Sequence, residues 1–178
     1  VKLASVMKKK WNELSPRTVI HVAGLMTEQS QPDEIIHGYD KPDGEEDWIA
    51  MKMFIRSVSN SHGADVDNID AVIPCIRAMS HTTWKHKKKP MVLKMHCERK
   101  YTLLGRIIPI DDRERVSIWR DVEYILKCVP EAWIEICHVS DGETIEAIRF
   151  FRNKGYNVFG EISPHYTEYS NDDLYDDG

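Results

Sequence analysis

Three ionisable residues interrupt or close apolar runs of the sequence, where an uncompensated charge is costly. Lys52 lies within the apolar run 48–54, and His96 and His138 each close a later run. Imidazole is a common ligand of zinc and similar metals. A lysine that desolvation holds as the neutral amine can react with carbon dioxide to form a carbamate, which has two oxygens able to bridge two cations. A single strand-end histidine is usually structural, but two of them with an embedded lysine indicate a metal site.

The remaining polar motifs give weaker indications. His62 precedes a glycine in the polar segment 57–63 and could contact a substrate, whereas His21 lies inside the first apolar run and is expected to pack. Three more histidines fall in polar connections and are expected to face solvent: His37, His81 and His86. The sequence contains no GxGxxG loop, Walker loop or GxSxG elbow, which disfavours nucleotide binding and serine hydrolysis.

Alternating strands and helices must position these side chains. Apolar runs predict five strands, at residues 18–26, 48–54, 91–96, 132–138 and 156–162. Amphipathic spacing predicts helices over residues 67–79, 111–128 and 141–152, the first with Pro74 as a kink or a later start. Repeated strand–helix units give right-handed crossovers and a parallel sheet. In such α/β folds the site is built at the carboxyl ends of the strands, where Lys52, His96 and His138 fall.

Length and composition limit the class of protein. A chain of 178 residues with 42% hydrophobic and 30% charged residues suits one soluble globular domain. The net charge of −5 argues against a nucleic-acid partner, and no apolar run is long enough to span a membrane. The basic run 85–89 and the acidic end 171–178 are expected to be solvated. The chain starts at Val1 and not at methionine, so we expect a longer reading frame or a removed first residue.

The cysteines indicate the compartment. Their spacing fits neither a disulfide framework nor a zinc finger, and each lies in or beside an apolar run. The four residues are Cys75, Cys97, Cys128 and Cys137. Buried thiols in a reducing environment are therefore predicted, which places the protein in the cytoplasm.

The order and spacing of several segments resemble those of the dihydroorotases, which are metal-dependent cyclic amidohydrolases. The segments are similar to the family's lysine strand, flexible loop, following helix, two histidine strands and a later strand end. In order they are residues 51–54, 60–63, 66–74, 92–98, 134–140 and 162–165, with a further matching segment at 110–114 between the two histidine strands. The likeness runs over residues 17–170 and points to the free-standing type of the enzyme.

This resemblance implies a TIM-type (β/α) barrel that holds two zinc ions. Lys52 corresponds to the carbamylated lysine that bridges both metals, and His96 and His138 correspond to two ligands of one metal. Further residues are implied to contact the substrate: Ser57, Ser59 and His165. The implied reaction is the interconversion of dihydroorotate and N-carbamoyl-aspartate in pyrimidine biosynthesis, so the partner is a small-molecule substrate, with no nucleic acid and no membrane.

The sequence departs from the family's pattern in two respects. The family's first strand carries a His-x-His pair that completes the other metal site, and its last strand carries an aspartate that is both ligand and general base. Neither has a counterpart in residues 1–178, which correspond to strands three to seven of eight in a single domain. Five strands do not close an eight-stranded barrel. We therefore expect a partial barrel that forms a homo-oligomer or is completed by another polypeptide, binds one zinc or none, and is inactive alone.

Two other functions remain open at this point. The first is a non-catalytic dihydroorotase-like protein that keeps the α/β core for binding or assembly. The second is another binuclear amidohydrolase that acts on a different cyclic amide. The sequence does not separate them, because the family's clamp for the substrate carboxylate lies in its first strand.

Overall fold

The fold is described by a computed structural model over residues 21–37, 48–55, 65–81, 91–96, 102–103, 106–107 and 118–162. Its strands are β1 (His21–Leu25), β2 (Trp48–Ile55), β3 (Asp65–Val66), β4 (Val92–His96), β5 (Thr102–Leu103), β6 (Arg106–Ile107), β7 (Trp133–Ile136) and β8 (Asn157–Gly160). Its α-helices are α1 (Pro32–His37), α2 (Ile73–His81), α3 (Ile118–Cys128) and α4 (Gly142–Asn153), and a 3-10 helix (Ile69–Val72) precedes α2. None of the helices in these ranges combines the length and apolarity that a membrane crossing requires.

Five parallel strands alternate with helices, as the sequence predicts. Their order in the sheet is β1-β2-β4-β7-β8, and the short β3 pairs with the end of β2. Strands β5 and β6 form a separate antiparallel pair. Parallel neighbours need crossover connections, and helices supply them between β4 and β7 and between β7 and β8.

One face of the sheet, the helix face, carries the apolar core. Alternate residues of neighbouring strands share this face because side chains alternate with a period of two. Its strand residues are buried and are paired in register: Met51, Met53, Leu93, Met95, Ile134, Ile136 and Val158. The helices contribute apolar residues such as Ile76, Ile125 and Phe151 to the same buried cluster. Burial of this apolar surface is the main term that stabilises the sheet and helices.

The opposite face of the sheet carries ionisable residues of the central strands. Lys52 of β2 is paired in register with Lys94 of β4, and Lys94 with Glu135 of β7. We call this side, which also carries His96, the polar face. In a TIM-type barrel the helices cover the outside, so the polar face corresponds to the barrel interior.

Local signals explain where the helices begin and end. The Asp141 carboxylate accepts the Thr144 backbone N–H at 2.9 Å and caps α4, as predicted. That helix stops before Gly155, whose φ of +88° suits glycine. Asn68 caps the 3-10 helix, and Pro74 falls in the first turn of α2, which matches the expected late start.

Several short elements are absent from the sequence-based prediction. Helix α1 begins at Pro32 with acidic residues in its first turn, a usual helix start that its short length conceals. Strands β3, β5 and β6 have two residues each, too few for a period to be visible. Residues 111–117 and 18–20, which were predicted to extend α3 and β1, lie outside the described residues.

The described cysteines agree with the prediction of buried thiols. Cys75 and Cys137 are buried and Cys128 is half-buried, and none of the three is in a disulfide. Cys97 lies outside the described residues.

Candidate functional site

Two of the predicted metal ligands meet at the carboxyl edge of the sheet. His96 ends β4 with 5% of its surface exposed, and its ring stacks on Phe54 with centroids 4.5 Å apart. The His138 ring lies edge-on to the His96 ring with centroids 5.1 Å apart and planes at 69°. Stacking on Phe54 and burial in β4 fix one imidazole, and the second approaches it from the loop after β7.

The approach of His138 depends on a local break in the strand pattern. Ile136 ends β7 on the helix face, so continued alternation would also send residue 138 to that face. Instead His138 has a φ of +53°, in the left-handed region that few non-glycine residues adopt. Its ring consequently reaches His96, on the polar face. Such backbone positions cost about 1–3 kcal/mol and are concentrated at functional sites.

Lys52, the third predicted metal residue, lies deeper along the strand. The sequence places it near the end of an apolar run, but β2 continues to Ile55 because Phe54 and Ile55 pair with β3. Lys52 is half-buried and shares the polar face with Phe54, the residue on which His96 stacks. All three predicted residues are therefore on one side of the sheet, on or just beyond neighbouring strands.

A charged cluster next to these residues was not predicted. Lys94 is only 8% exposed, and its ammonium donates to Glu161 at 2.9 Å and lies 3.3 Å from Glu135. The other Glu161 oxygen lies 3.7 Å from Nε2 of His138. The signal was present in the sequence: Lys94 lies in an apolar run two residues before His96, on the same face of the strand.

The charged cluster changes the pKa values of its members. Burial on its own would lower the pKa of Lys94, but the hydrogen bond that Lys94 donates to Glu161 and the charges of Glu135, Cys137 and Glu161 outweigh burial and raise it. Partial burial would raise the pKa of Glu161, but the hydrogen bond and charge of Lys94 prevail and lower it. Lys94 and Glu161 therefore both stay charged over a wider pH range than isolated side chains do.

The described side chains supply some, but not all, of the ligands that one metal ion needs. His96 and His138 supply two imidazoles, which zinc accepts readily. Within the described ranges, no group of three or more His, Cys, Asp or Glu side chains is placed to hold a metal ion. A third protein donor from the predicted set requires Lys52 as a carbamate, because an ammonium has no lone pair to offer.

The predicted substrate-contacting residues cannot be placed. Ser57, Ser59 and His165 lie outside the described residues, as does His62. Of the histidines expected to face solvent, His81 is exposed at the end of α2 and lies 3.2 Å from Glu131.

A groove of about 410 Å³ lies on the helix face, between α4 and the end of β8. Its lining is largely apolar and includes Ile145, Ile148 and Ile162, with Arg149 and Arg152 at one side. Ile145 is 40% exposed and Ile162 is 56% exposed. Lys52, His96 and His138 do not line this groove, but Glu161 does, and Glu161 also lies 3.7 Å from His138.

Solved structures share this fold. The dihydroorotase of Saccharomyces cerevisiae in complex with 5-fluoroorotic acid superposes with a TM-score of 0.68 at 18% identity, over 99% of this chain and 48% of that chain. The dihydroorotase of Campylobacter jejuni gives 0.54 at 16% identity, over 88% and 38%. A D-hydantoinase from Bacillus sp. AR9 gives 0.59 at 15% identity, over 98% and 39%. No protein-family model matches the chain, and a search of curated proteins finds no significant match.

These likenesses identify the architecture. At such low identity they show the fold, which is part of the TIM-type barrel of dihydroorotases and hydantoinases. The predictions of a partial (β/α) barrel and of a dihydroorotase-like fold are therefore confirmed. The chain spans about half the length of the yeast structure, 48%, and less than half of the other two.

Proposed function

We propose that this chain belongs to a metal-dependent cyclic amidohydrolase of the dihydroorotase type, with Lys52, His96 and His138 as metal residues. The observation that carries the proposal is the contact between the His96 and His138 rings, 5.1 Å apart at the carboxyl edge, on the face that carries Lys52. In barrels of this class the active site is built at that edge. The shared fold with dihydroorotases and hydantoinases supports the same assignment.

Zinc is the metal that this site suits best, and when bound it supplies Lewis-acid polarisation of a carbonyl and activation of water near neutral pH. Each residue of the chain has a distinct part in this proposal. His96 is rigid because it is buried and stacked on Phe54, so it offers a fixed imidazole. His138 comes from a loop and offers the second. Lys52 joins them as a carbamate, which replaces its positive charge by a negative one.

The neighbourhood of Lys52 favours this modification. Its partner in register is Lys94, so an unmodified Lys52 places two ammonium groups on adjacent strands, which is unfavourable. A carbamate on Lys52 is negatively charged and is therefore attracted to the Lys94 ammonium. The substrate we propose is dihydroorotate or N-carbamoyl-aspartate, in pyrimidine biosynthesis in the cytoplasm.

Activity is tested with purified chain, zinc and bicarbonate, with dihydroorotate as substrate. We expect negligible turnover by the chain alone and turnover when it is co-expressed with a polypeptide that supplies a His-x-His strand and an aspartate strand. His96→Ala should abolish the restored activity and His81→Ala should not. If the chain binds zinc but shows no turnover, either alone or with the complementing polypeptide, the non-catalytic binding or assembly function is favoured instead.

A second candidate substrate class has a specific observation in its favour. D-hydantoinase structures superpose on the chain at TM-scores of 0.59 and 0.60, between the values of the two dihydroorotases. Hydantoin and dihydrouracil lack the carboxylate of dihydroorotate. The complemented protein is therefore assayed with all three substrates, and preference for the uncharged rings would assign the chain to this second class.

A further inference from the structure

Glu161 occupies a position from which it can control His138. Two backbone hydrogen bonds hold Glu161 against the segment that contains His138. The Glu161 N–H donates to the Ile136 carbonyl, and the Val139 N–H donates to the Glu161 carbonyl, each at 2.8 Å. Its side chain is held by Lys94 through one carboxylate oxygen at 2.9 Å. The second oxygen is 3.7 Å from Nε2 of His138, a polar contact longer than a direct hydrogen bond.

This arrangement matches a known requirement of metal-binding histidines. Such a histidine usually directs its second nitrogen toward a carboxylate or carbonyl, which fixes the ring orientation and raises its basicity as a ligand. His138 has particular need of such support, since it lies in a loop with a left-handed backbone and its side chain is 34% exposed. His96, by contrast, is fixed by burial and by Phe54.

We propose that Glu161, anchored by Lys94, is a positioning residue that orients the His138 imidazole toward His96 as a metal ligand. The metal part of this inference rests on the proposed function, whereas the orientation of the ring does not. Glu135 provides a comparison, because its carboxylate lies 3.3 Å from the same Lys94 ammonium, so Glu135→Gln disturbs the charged cluster without removing Glu161.

The test uses the full chain with Glu161→Leu, Glu161→Gln and Glu135→Gln. In metal-free protein, cross-relaxation between the ring protons of His96 and His138 reports whether the rings remain in contact. We expect this signal in the wild type and in Glu135→Gln, a reduced signal in Glu161→Gln, whose amide oxygen still accepts a hydrogen bond, and loss in Glu161→Leu. An unchanged signal in Glu161→Leu would overturn the inference.

Zinc affinity, measured by competition with a chromophoric chelator, is the second readout. Glu161→Leu should weaken zinc binding by about 10- to 100-fold, the usual effect of removing an outer-shell partner. Glu161→Gln should be intermediate, and Glu135→Gln should match the wild type although it also disturbs the Lys94 cluster. Equal losses in Glu161→Leu and Glu135→Gln would mean that the cluster is only structural. If the wild type binds no zinc, the proposed function fails, and the ring-contact measurement alone decides the role of Glu161.

Discussion

Lys52 of β2 and Lys94 of β4 occupy paired positions on neighbouring strands, so two basic side chains lie side by side on the polar face. Lys94 is compensated by Glu135 and Glu161. Among the residues that the structure describes, no carboxylate lies within ion-pair distance of Lys52. In the proposed function, Lys94 is the structural lysine and Lys52 is the metal-binding one.

Substitutions at Lys52 test that distinction. Lys52→Arg keeps the positive charge but cannot form a carbamate, so zinc affinity should fall by at least about tenfold. Lys52→Glu places a carboxylate on the same strand and should retain most of the binding. Nuclear magnetic resonance with labelled bicarbonate should show a carbamate carbon in the wild type and none in Lys52→Arg. Equal zinc affinity in the wild type and Lys52→Arg would show that the lysine is not a ligand.

Removal of Lys94 should destabilise the sheet. Lys94→Met leaves two carboxylates without their shared cation. We expect the free energy of unfolding to fall by about 2–3 kcal/mol. This loss is smaller than for a fully buried pair, because Glu161 is partly exposed. The matched control is Lys127→Met, since Lys127 pairs with Glu123 at 3.4 Å on the surface of α3. Its effect should stay below about 0.5 kcal/mol. Urea unfolding measures both, and similar losses would contradict a special role for Lys94.

The same cluster predicts how stability depends on pH. The folded state lowers the pKa of Glu161, so its contribution is complete above the ordinary carboxyl value of 4.5 and is lost as the pH falls through the lowered value. The folded state raises the pKa of Lys94, so that contribution is complete below 10.5 and is lost as the pH rises through the raised value. The stability difference between wild type and Glu161→Gln should therefore shrink in acid. A difference that is constant from neutral pH into strong acid would contradict the pairing.

Much of the fold follows from the sequence because the helix face is uniformly apolar. Runs such as 91–96 and 132–138 are recognisable as parallel strands, and Asp141 and Gly155 mark both ends of α4. The elements that sequence analysis missed have few residues, and a two-residue strand such as β3 exists only because β2 offers it a partner.

Less of the site than of the fold could be predicted from the sequence, and particular residues show why. Strand ends could be located from the sequence for His96 and Lys52, but His138 is out of phase with β7 and reaches His96 only through its backbone φ of +53°. No spacing rule predicts that turn. The pairing of Lys94 in β4 with Glu161, which follows β8, joins residues far apart in the sequence, so it depends on the sheet order.

The groove beside β8 leads to a prediction about association. Within the described residues β8 is hydrogen-bonded to one neighbour, β7, and the exposed Ile145 and Ile162 lie next to it. We expect the purified chain to self-associate through this edge, since apolar residues beside an open strand favour pairing. Ile162→Lys should shift the species in sedimentation velocity toward monomer, and Tyr124→Lys, at an exposed position of α3, serves as a control elsewhere. A concentration-independent monomer in the wild type would contradict this expectation.

The most direct test of the central claim is the zinc affinity and stoichiometry of the purified chain, measured by calorimetry with zinc alone. We expect one site in the wild type, and a loss of at least about 100-fold in zinc affinity in both His96→Ala and His138→Ala, which exceeds the effect of an outer-shell group. His81→Ala should bind as the wild type does, because His81 is exposed and pairs with Glu131. Zinc binding that is equally strong in all four proteins, or absent from the wild type, would contradict the assignment of His96 and His138 as metal ligands.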